Sequence, residues 1–148
     1  MMRRYWVCNA AQEHVHIVRD KGYTQINMGP REPLEKMNVG DWILYYSPTN
    51  LFEDMTPNCE QFTGISSVND TRIYPQGNAH PDHWRRNVDF YNCIPHSPQD
   101  FVGKVSFLPQ NKDWRKILKK TVFEISKEDF IFIAQTIASP DDSKVLLY

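Results

Sequence analysis

The sequence has few glycines and no long apolar run, and each shortage excludes a kind of site or segment. Only six glycines occur in 148 residues, and none belongs to the phosphate-cradling patterns GxxxxGK or GxGxxG. No apolar run approaches the roughly 18 residues that a membrane-spanning helix needs. We therefore predict neither a glycine-rich phosphate loop nor a membrane span.

Cysteine is also scarce, and its count bears on the cellular compartment. Cys8, Cys59 and Cys93 form an odd set without a CxxC pair, whereas secreted chains of this size usually carry an even disulfide framework. Polar residues from Asn9 onward interrupt the N-terminal segment too early for the apolar region of a signal peptide. These features favour reduced thiols and a cytoplasmic location.

An excess of positive charge is missing as well. The chain has 17 Lys and Arg against 18 Asp and Glu, for a formal net charge of −1. Proteins that coat nucleic acids without sequence preference usually carry a large positive excess, because neutralised phosphates supply their affinity. Binding by the whole surface is therefore not expected, although a local basic patch is compatible with this composition.

Patterns of catalytic and metal-binding residues are absent too. The sequence contains no GxSxG and no HxE followed by PCxxC. His80 and His83 flank Asp82, but a zinc site needs three or four donors, so a polar loop is the simpler interpretation. Cys8 has no evident neighbouring base and is interpreted as a buried thiol. We predict no catalytic residue, no metal and no cofactor.

The order of secondary-structure signals predicts an α+β domain spanning residues 1–148. A turn at Asn69-Asp70 is expected to join two strands as a hairpin, Gly22 to end the first helix, and Gly64 to mark a bulge or a close approach. Ser126 and Asp129 have capping-box spacing before the last helix. Strands are predicted at 5–8, 23–26, 42–46, 61–68, 71–74, 86–93 and 121–125, and helices at 13–21, 33–37, 113–119 and after 126. Short strands mixed with short helices indicate a strongly curved sheet or small barrel.

The segment His83-Trp84-Arg85-Arg86 combines an aromatic side chain with two cations in a polar loop. Such a combination suits stacking on a base together with contacts to phosphates. The alternative is that Trp84 plugs the mouth of the barrel while Arg85 and Arg86 form ion pairs.

Several stretches resemble the EVE domain family, a member of the PUA-like superfamily that is related to YTH domains. The resembling stretches are 5–7, 13–15, 22–26, 33–37, 40–48, 62–65, 84–88, 107–108 and 123–130, so the resemblance covers about residues 4–138. It implies a PUA-like curved mixed β-sheet or pseudobarrel with short helices packed around it. It also implies recognition of a modified base in DNA or RNA, without catalysis.

The resemblance further implies a set of ligand-binding residues. Where YTH domains place an aromatic residue and a serine, this chain has Thr24 and Gln25, which favours reading of base edges through amides. Trp84 is the expected stacking wall, with Tyr46 or Tyr74 as a second one. Together with the aromatic and basic segment described above, the full predicted set for the base is Cys8, Asn9, Ala10, Tyr23, Thr24, Gln25, Tyr46, Tyr74 and Trp84, with Arg85 and Arg86 for the phosphates. The alternatives are a helix N-cap for Asn9 and a cross-strand hydrogen bond for Gln25.

The expected function is therefore that of a non-catalytic nucleic-acid-binding domain with an aromatic-lined pocket for a modified nucleobase. A sensor or carrier of nucleoside-like small molecules would use the same pocket, and an enzyme that acts on such a base is a third possibility. A frayed end at Val145–Tyr148 and a monomer are expected, and the alternative is a dimer contact through these residues.

Overall fold

A six-stranded mixed sheet is the framework of the chain in the computed structural model, which describes residues 2–26, 29–78 and 81–140. The sheet order is β2-β5-β4-β3-β1-β6, with β1 and β3 parallel and the other pairs antiparallel. The elements are β1 (Tyr5–Asn9), α1 (Gln12–Lys21), β2 (Tyr23–Thr24), α2 (Glu32–Glu35), β3 (Trp42–Ser47), β4 (Gln61–Pro75), β5 (Trp84–Tyr91), a 3-10 helix (Pro98–Phe101), α3 (Trp114–Ile117), β6 (Val122–Ile125) and α4 (Lys127–Ile137). This arrangement confirms the predicted mixed α+β architecture.

Two hydrophobic clusters cover the two faces of the sheet, because neighbouring residues of a strand point to opposite sides. In β1, Tyr5 and Val7 belong to the cluster that packs against α3 and α4. Trp6 and Cys8 belong to the second cluster, which packs against α1 and α2. Among the described residues, no helix combines the length and the apolar character that crossing a bilayer requires.

The predicted hairpin at residues 61–74 is wrong. Residues 61–75 form the single strand β4, which pairs with β5 on both sides of an irregularity between Val68 and Ile73. Asn69 and Asp70 favour turns by composition, but here they occupy this irregularity, and the backbone carbonyl of Asp70 accepts a hydrogen bond from Arg86. A long-range contact thus turns an expected chain reversal into a local bulge.

Local capping signals are confirmed. Gly22 adopts the left-handed conformation with φ 77°, and its N–H donates to the carbonyl of Val18 at the end of α1. The Ser126 hydroxyl accepts from the N–H of Asp129 at 3.2 Å, as expected for an N-cap. The Asp129 carboxylate accepts from the N–H groups of Ser106 and Phe107. These hydrogen bonds fix the backbone at residues 106–107 against the start of α4.

Gly64 lies where α1 crosses β4. A Cβ atom at this position would lie 2.9 Å from Cγ1 of Val15 and 3.1 Å from Cδ2 of Tyr45. Gly64 also sits beside a register shift, because Tyr45 pairs with Gly64 while Tyr46 pairs with Phe62. The glycine therefore permits the close approach of α1 to β4.

We expect Gly64→Ala to lower the free energy of unfolding by about 1–3 kcal/mol, because the added methyl overpacks a filled site. Urea denaturation measures this loss. The Val15→Ala/Gly64→Ala double variant should be less destabilised than the sum of the two single variants, because removing Cγ1 relieves the clash. Strict additivity would contradict the close-approach explanation.

Candidate functional site

An open cavity of about 380 Å³ lies beside the end of β1. Four parts of the chain meet there: the β1–α1 junction, the segment after β2, the β3–β4 connection and the residue before β5. The lining residues are Asn9, Ala10, Ala11, His14, Gln25, Ile26, Pro48, Thr49, Phe52, Asp54 and His83. This volume lies in the lower part of the range of about 300–1,000 Å³ that is usual for small-molecule sites.

The β1–α1 junction supplies a wall of small side chains. Ala10 and Ala11 are both 9% exposed and leave room at the floor of the cavity. The Ala10 N–H donates to the carbonyl of Tyr46 at 3.0 Å, which fixes the junction against β3. Ala11, not Asn9, is the N-cap of α1, and the Asn9 amide donates instead to the carbonyl of Leu118 at 2.8 Å.

Gln25 brings an amide group with an unused donor to the cavity. Its Oε1 accepts from Nε of Arg85 at 3.2 Å, and the Arg85 guanidinium carbon lies 4.0 Å from the ring centroid of Tyr23. The amide is thereby oriented by a cation that is itself held on an aromatic face. No described residue accepts a hydrogen bond from Nε2 of Gln25, so this nitrogen is available to a ligand.

His14 contributes an acceptor to the same cavity. Its Nε2 lies 3.0 Å from the backbone carbonyl of Gln25, and a carbonyl can only accept, so Nε2 carries the proton. Burial lowers the pKa of His14, although the hydrogen bond to Gln25 opposes this shift and the nearby Arg85 adds to it. The neutral ring therefore has an unprotonated Nδ1.

The titration of His14 should make stability depend on pH. Because folding lowers the pKa of His14 below its ordinary value of 6.5, the unfolded state binds the proton more readily. Stability should be complete above the unfolded-state pKa and decrease as the pH falls through it toward the folded-state pKa. Urea midpoints at about pH 7.5 and about pH 5.5 should therefore differ less in His14→Gln than in the wild type.

His16→Gln is the matched control for this measurement, because His16 is an exposed residue of the same helix. It should keep the pH dependence of the wild type. An equal loss of pH dependence in both variants would show that burial of His14 is not its source.

Phe52 forms the aromatic side of the cavity, and sequence reasoning missed it. Its side chain is 65% exposed, yet its backbone N–H donates to Oε2 of Glu13 at 3.0 Å. The carboxylate of Asp54 accepts from the N–H of Leu51 at 2.9 Å and from the amide of Asn58 at 3.0 Å. These hydrogen bonds lower the pKa of Asp54 and hold the connection in a turn that presents the Phe52 ring at the cavity.

The EVE domain family model matches residues 4–136 of the chain. The chain belongs to the EVE domain family. The UPF0310 protein YdcG of Bacillus subtilis (strain 168) is 34% identical over 139 residues, which cover 93% of this chain and 94% of that protein. The predicted resemblance is thereby confirmed.

Solved structures of the PUA-like fold are similar to this EVE domain. The YTH domain of Zygosaccharomyces rouxii MRB1, in complex with N6-methyladenosine RNA, has a TM-score of 0.57 at 11% identity and matches 90% of this chain and 86% of that one. Human THYN1, in complex with 5-methylcytosine-containing DNA, has a TM-score of 0.53 at 14% identity, with coverages of 90% and 96%. The predicted PUA-like fold class is confirmed.

The predicted site residues of this EVE domain fall into two groups. Asn9, Ala10 and Gln25 line the cavity, and Tyr23 supports it through Arg85. Cys8, Thr24 and Tyr46 are buried instead and do not line it. The Thr24 hydroxyl accepts from the hydroxyl of Tyr45 at 2.9 Å, and Tyr46 packs edge-on against Trp114 in the cluster around α3 and α4.

The remaining predicted residues lie on β4 and β5, outside the cavity lining. The Trp84 ring is covered by the Arg31 guanidinium, whose carbon lies 4.5 Å from the ring centroid. Tyr74 donates its hydroxyl proton to Oδ1 of Asn87. Arg86 is 4% exposed and donates to backbone carbonyls of α2 and β4, so it serves the fold rather than an open surface.

Neither a thiol nor a metal centre is evident at this site. Burial raises the pKa of the Cys8 thiol to about 12, so Cys8 is a neutral core residue at physiological pH. Within residues 2–26, 29–78 and 81–140, no group of three or more His, Cys, Asp or Glu side chains could hold a metal ion. His80, considered above with His83, lies outside the described residues, as do residues 145–148.

Proposed function

We propose that this EVE domain is a non-catalytic nucleic-acid-binding domain that takes one modified base of DNA or RNA into the cavity. The observation that carries the proposal is that the exposed Phe52 ring and the Gln25 amide, whose Nε2 has no acceptor among the described residues, line the same cavity. A flat heterocycle can stack on an aromatic ring while its edge forms hydrogen bonds. The neighbouring structures of MRB1 and THYN1, each in complex with a modified nucleic acid, support this assignment.

The polar groups of the cavity match the edge of a base. Gln25 Nε2 is a donor and the Nδ1 of neutral His14 is an acceptor, and a nucleobase edge presents both kinds of group side by side. Ala10, Ala11 and Ile26 contribute apolar surface next to these groups. A cavity of about 380 Å³ with apolar walls and few polar groups is typical of sites for small flat ligands.

Binding without turnover is favoured by the state of the potential catalytic groups. Cys8 is buried and protonated, so it is not a nucleophile. His14 has its Nε2 proton committed to a backbone carbonyl, and the Asp54 carboxylate holds a turn through two hydrogen bonds. Among the residues that the structure describes, none of these three groups forms a hydrogen bond or ion pair with a second side chain that could activate it for chemistry.

A binding panel tests the proposal. Calorimetry with modified and unmodified nucleosides, and fluorescence anisotropy with short labelled single strands carrying the same bases, should identify one modified base that binds more tightly than its unmodified form. N6-methyladenosine in RNA and 5-methylcytosine in DNA are the first probes. Gln25→Leu removes the amide at similar volume and should weaken binding about 5- to 100-fold, because a buried polar edge of the base loses its partner.

Gln135→Leu is the control, since Gln135 is exposed on α4 and does not line the cavity. It should bind like the wild type. Equal affinity for free nucleosides and oligonucleotides would favour a nucleoside sensor or carrier instead. If no modified base in the panel binds more tightly than its unmodified form, the proposed recognition is wrong.

A further inference from the structure

A segment rich in basic residues lies C-terminal in the sequence to all the residues that line the cavity. Residues 112–120 contain five basic side chains and one acidic side chain, although the net charge of the whole chain is −1. Arg115 is paired with Glu60. Lys116, Lys119 and Lys120 are exposed, and none of them forms a salt bridge with any residue that the structure describes. These three lysines are called the lysine rim.

The lysine rim is attached to the cavity by two hydrogen bonds from one residue. Asn9 lines the cavity; its side-chain amide donates to the carbonyl of Leu118 at 2.8 Å, and its backbone N–H donates to the carbonyl of Thr121 at 2.9 Å. Lys119 and Lys120 lie between these two acceptors in the sequence. The cavity wall and the turn that carries the two lysines are therefore fixed against each other.

The aromatic side of the cavity repels phosphate. Asp54 lines it there, and Glu13 holds the backbone of Phe52, so two carboxylates border the aromatic side. The cations nearest to Gln25 and β5 are already engaged, because Arg85 binds Gln25 and Tyr23 and Arg86 is buried. A polyanion that leaves the cavity on the Asn9 side meets exposed lysines that form no salt bridge with any described residue, although Nζ of Lys120 also lies 5.9 Å from the ring centroid of Phe123.

We propose that a single-stranded nucleic acid whose base occupies the cavity runs its flanking phosphates across the lysine rim. This inference rests on the proposed function and adds the path of the strand to it. The strand is expected to pass from the cavity over Asn9 toward α3. Because the contacts are to phosphates, they add affinity without selecting the sequence.

The test compares the salt dependence of binding in charge-neutralised variants. Each phosphate contact on a single strand contributes about 0.7 to the slope of log Kobs against log salt concentration. Lys119→Gln/Lys120→Gln should therefore make this slope shallower by about 1.4 for an oligonucleotide carrying the preferred modified base. The ratio of the wild-type affinity to the affinity of this variant should accordingly fall about sevenfold when the salt concentration rises from about 50 mM to about 200 mM.

Lys104→Gln/Lys127→Gln is the matched control, because both lysines are exposed and lie outside the lysine rim and the cavity lining. It should retain the wild-type slope, and the free modified nucleoside should bind all three proteins equally. An oligonucleotide slope that is unchanged in Lys119→Gln/Lys120→Gln would overturn the strand path while leaving base recognition intact. Oligonucleotides that bind no better than the nucleoside would also overturn it, and a lack of any binding would remove the proposed function as well.

Discussion

Replacing Arg86 by methionine should lower the free energy of unfolding of this EVE domain by about 3 kcal/mol or more. The side chain is 4% exposed and donates to the carbonyls of Leu34, Met37 and Asp70. Methionine fills a similar volume but leaves these buried acceptors without a partner, and hydrogen bonds from a charged donor contribute about 1.5–3 kcal/mol each. Urea denaturation followed by circular dichroism measures the loss.

Arg85→Met is the matched control at the neighbouring position. Arg85 is only half-buried, and its described contacts are one hydrogen bond to Gln25 and the ring of Tyr23, so its loss should cost about 1 kcal/mol or less. Arg86→Lys should be intermediate, because an ammonium keeps the charge but cannot reproduce the planar fork of donors. Equal stability of Arg85→Met and Arg86→Met would contradict a structural role for Arg86.

The pair Arg85 and Arg86 also shows where sequence reasoning reaches its limit. Both residues lie on β5 in the structure, where neighbouring side chains point to opposite faces, but the sequence does not state which face is covered. The covered face is the one that packs against α2, where Arg86 donates to the carbonyl of Leu34, a residue 52 positions away in sequence. A contact at that separation has no local signature, so both arginines were predicted to bind phosphate.

Elements that depend on neighbouring residues were predictable. The helix end at Gly22 and the N-cap at Ser126 each involve partners within four residues, and the position of Gly64 inside a strand indicated a close approach. The turn expected at Asn69-Asp70 failed because β5 pairs with β4 on both sides of it. The residue types at this position favour a turn, but pairing with β5 keeps the chain extended as one strand.

The cavity was predictable only in part. The resemblance to EVE domains placed Asn9, Ala10 and Gln25 near a ligand, and all three line the cavity. Phe52 was missed because residues 49–59 have the composition of a solvated loop, and the hydrogen bonds that order it, to Glu13 and within the turn, join residues up to 39 apart. The one signal for Phe52 as a ligand-contacting residue was an aromatic side chain close to the turn-forming Asp54. That signal is weak on its own.

Phe52→Ala should weaken binding of the preferred modified base about 5- to 150-fold, because stacking on an aromatic side chain contributes about 1–3 kcal/mol per base. The loss should be the same for the free nucleoside and for an oligonucleotide, since it concerns the base and not the phosphates. Fluorescence anisotropy and calorimetry at one salt concentration measure both. Stability should change little, because the side chain is 65% exposed.

Met55→Ala is the control for this prediction, because Met55 is 96% exposed in the same connection and does not line the cavity. It should bind like the wild type, and Phe52→Trp should retain binding because it preserves an aromatic face. If Phe52→Ala binds normally while Trp84→Ala does not, the base stacks on β5, as the sequence first indicated. Loss of binding in Phe52→Ala alone places the base between the β3–β4 connection and the Gln25 amide.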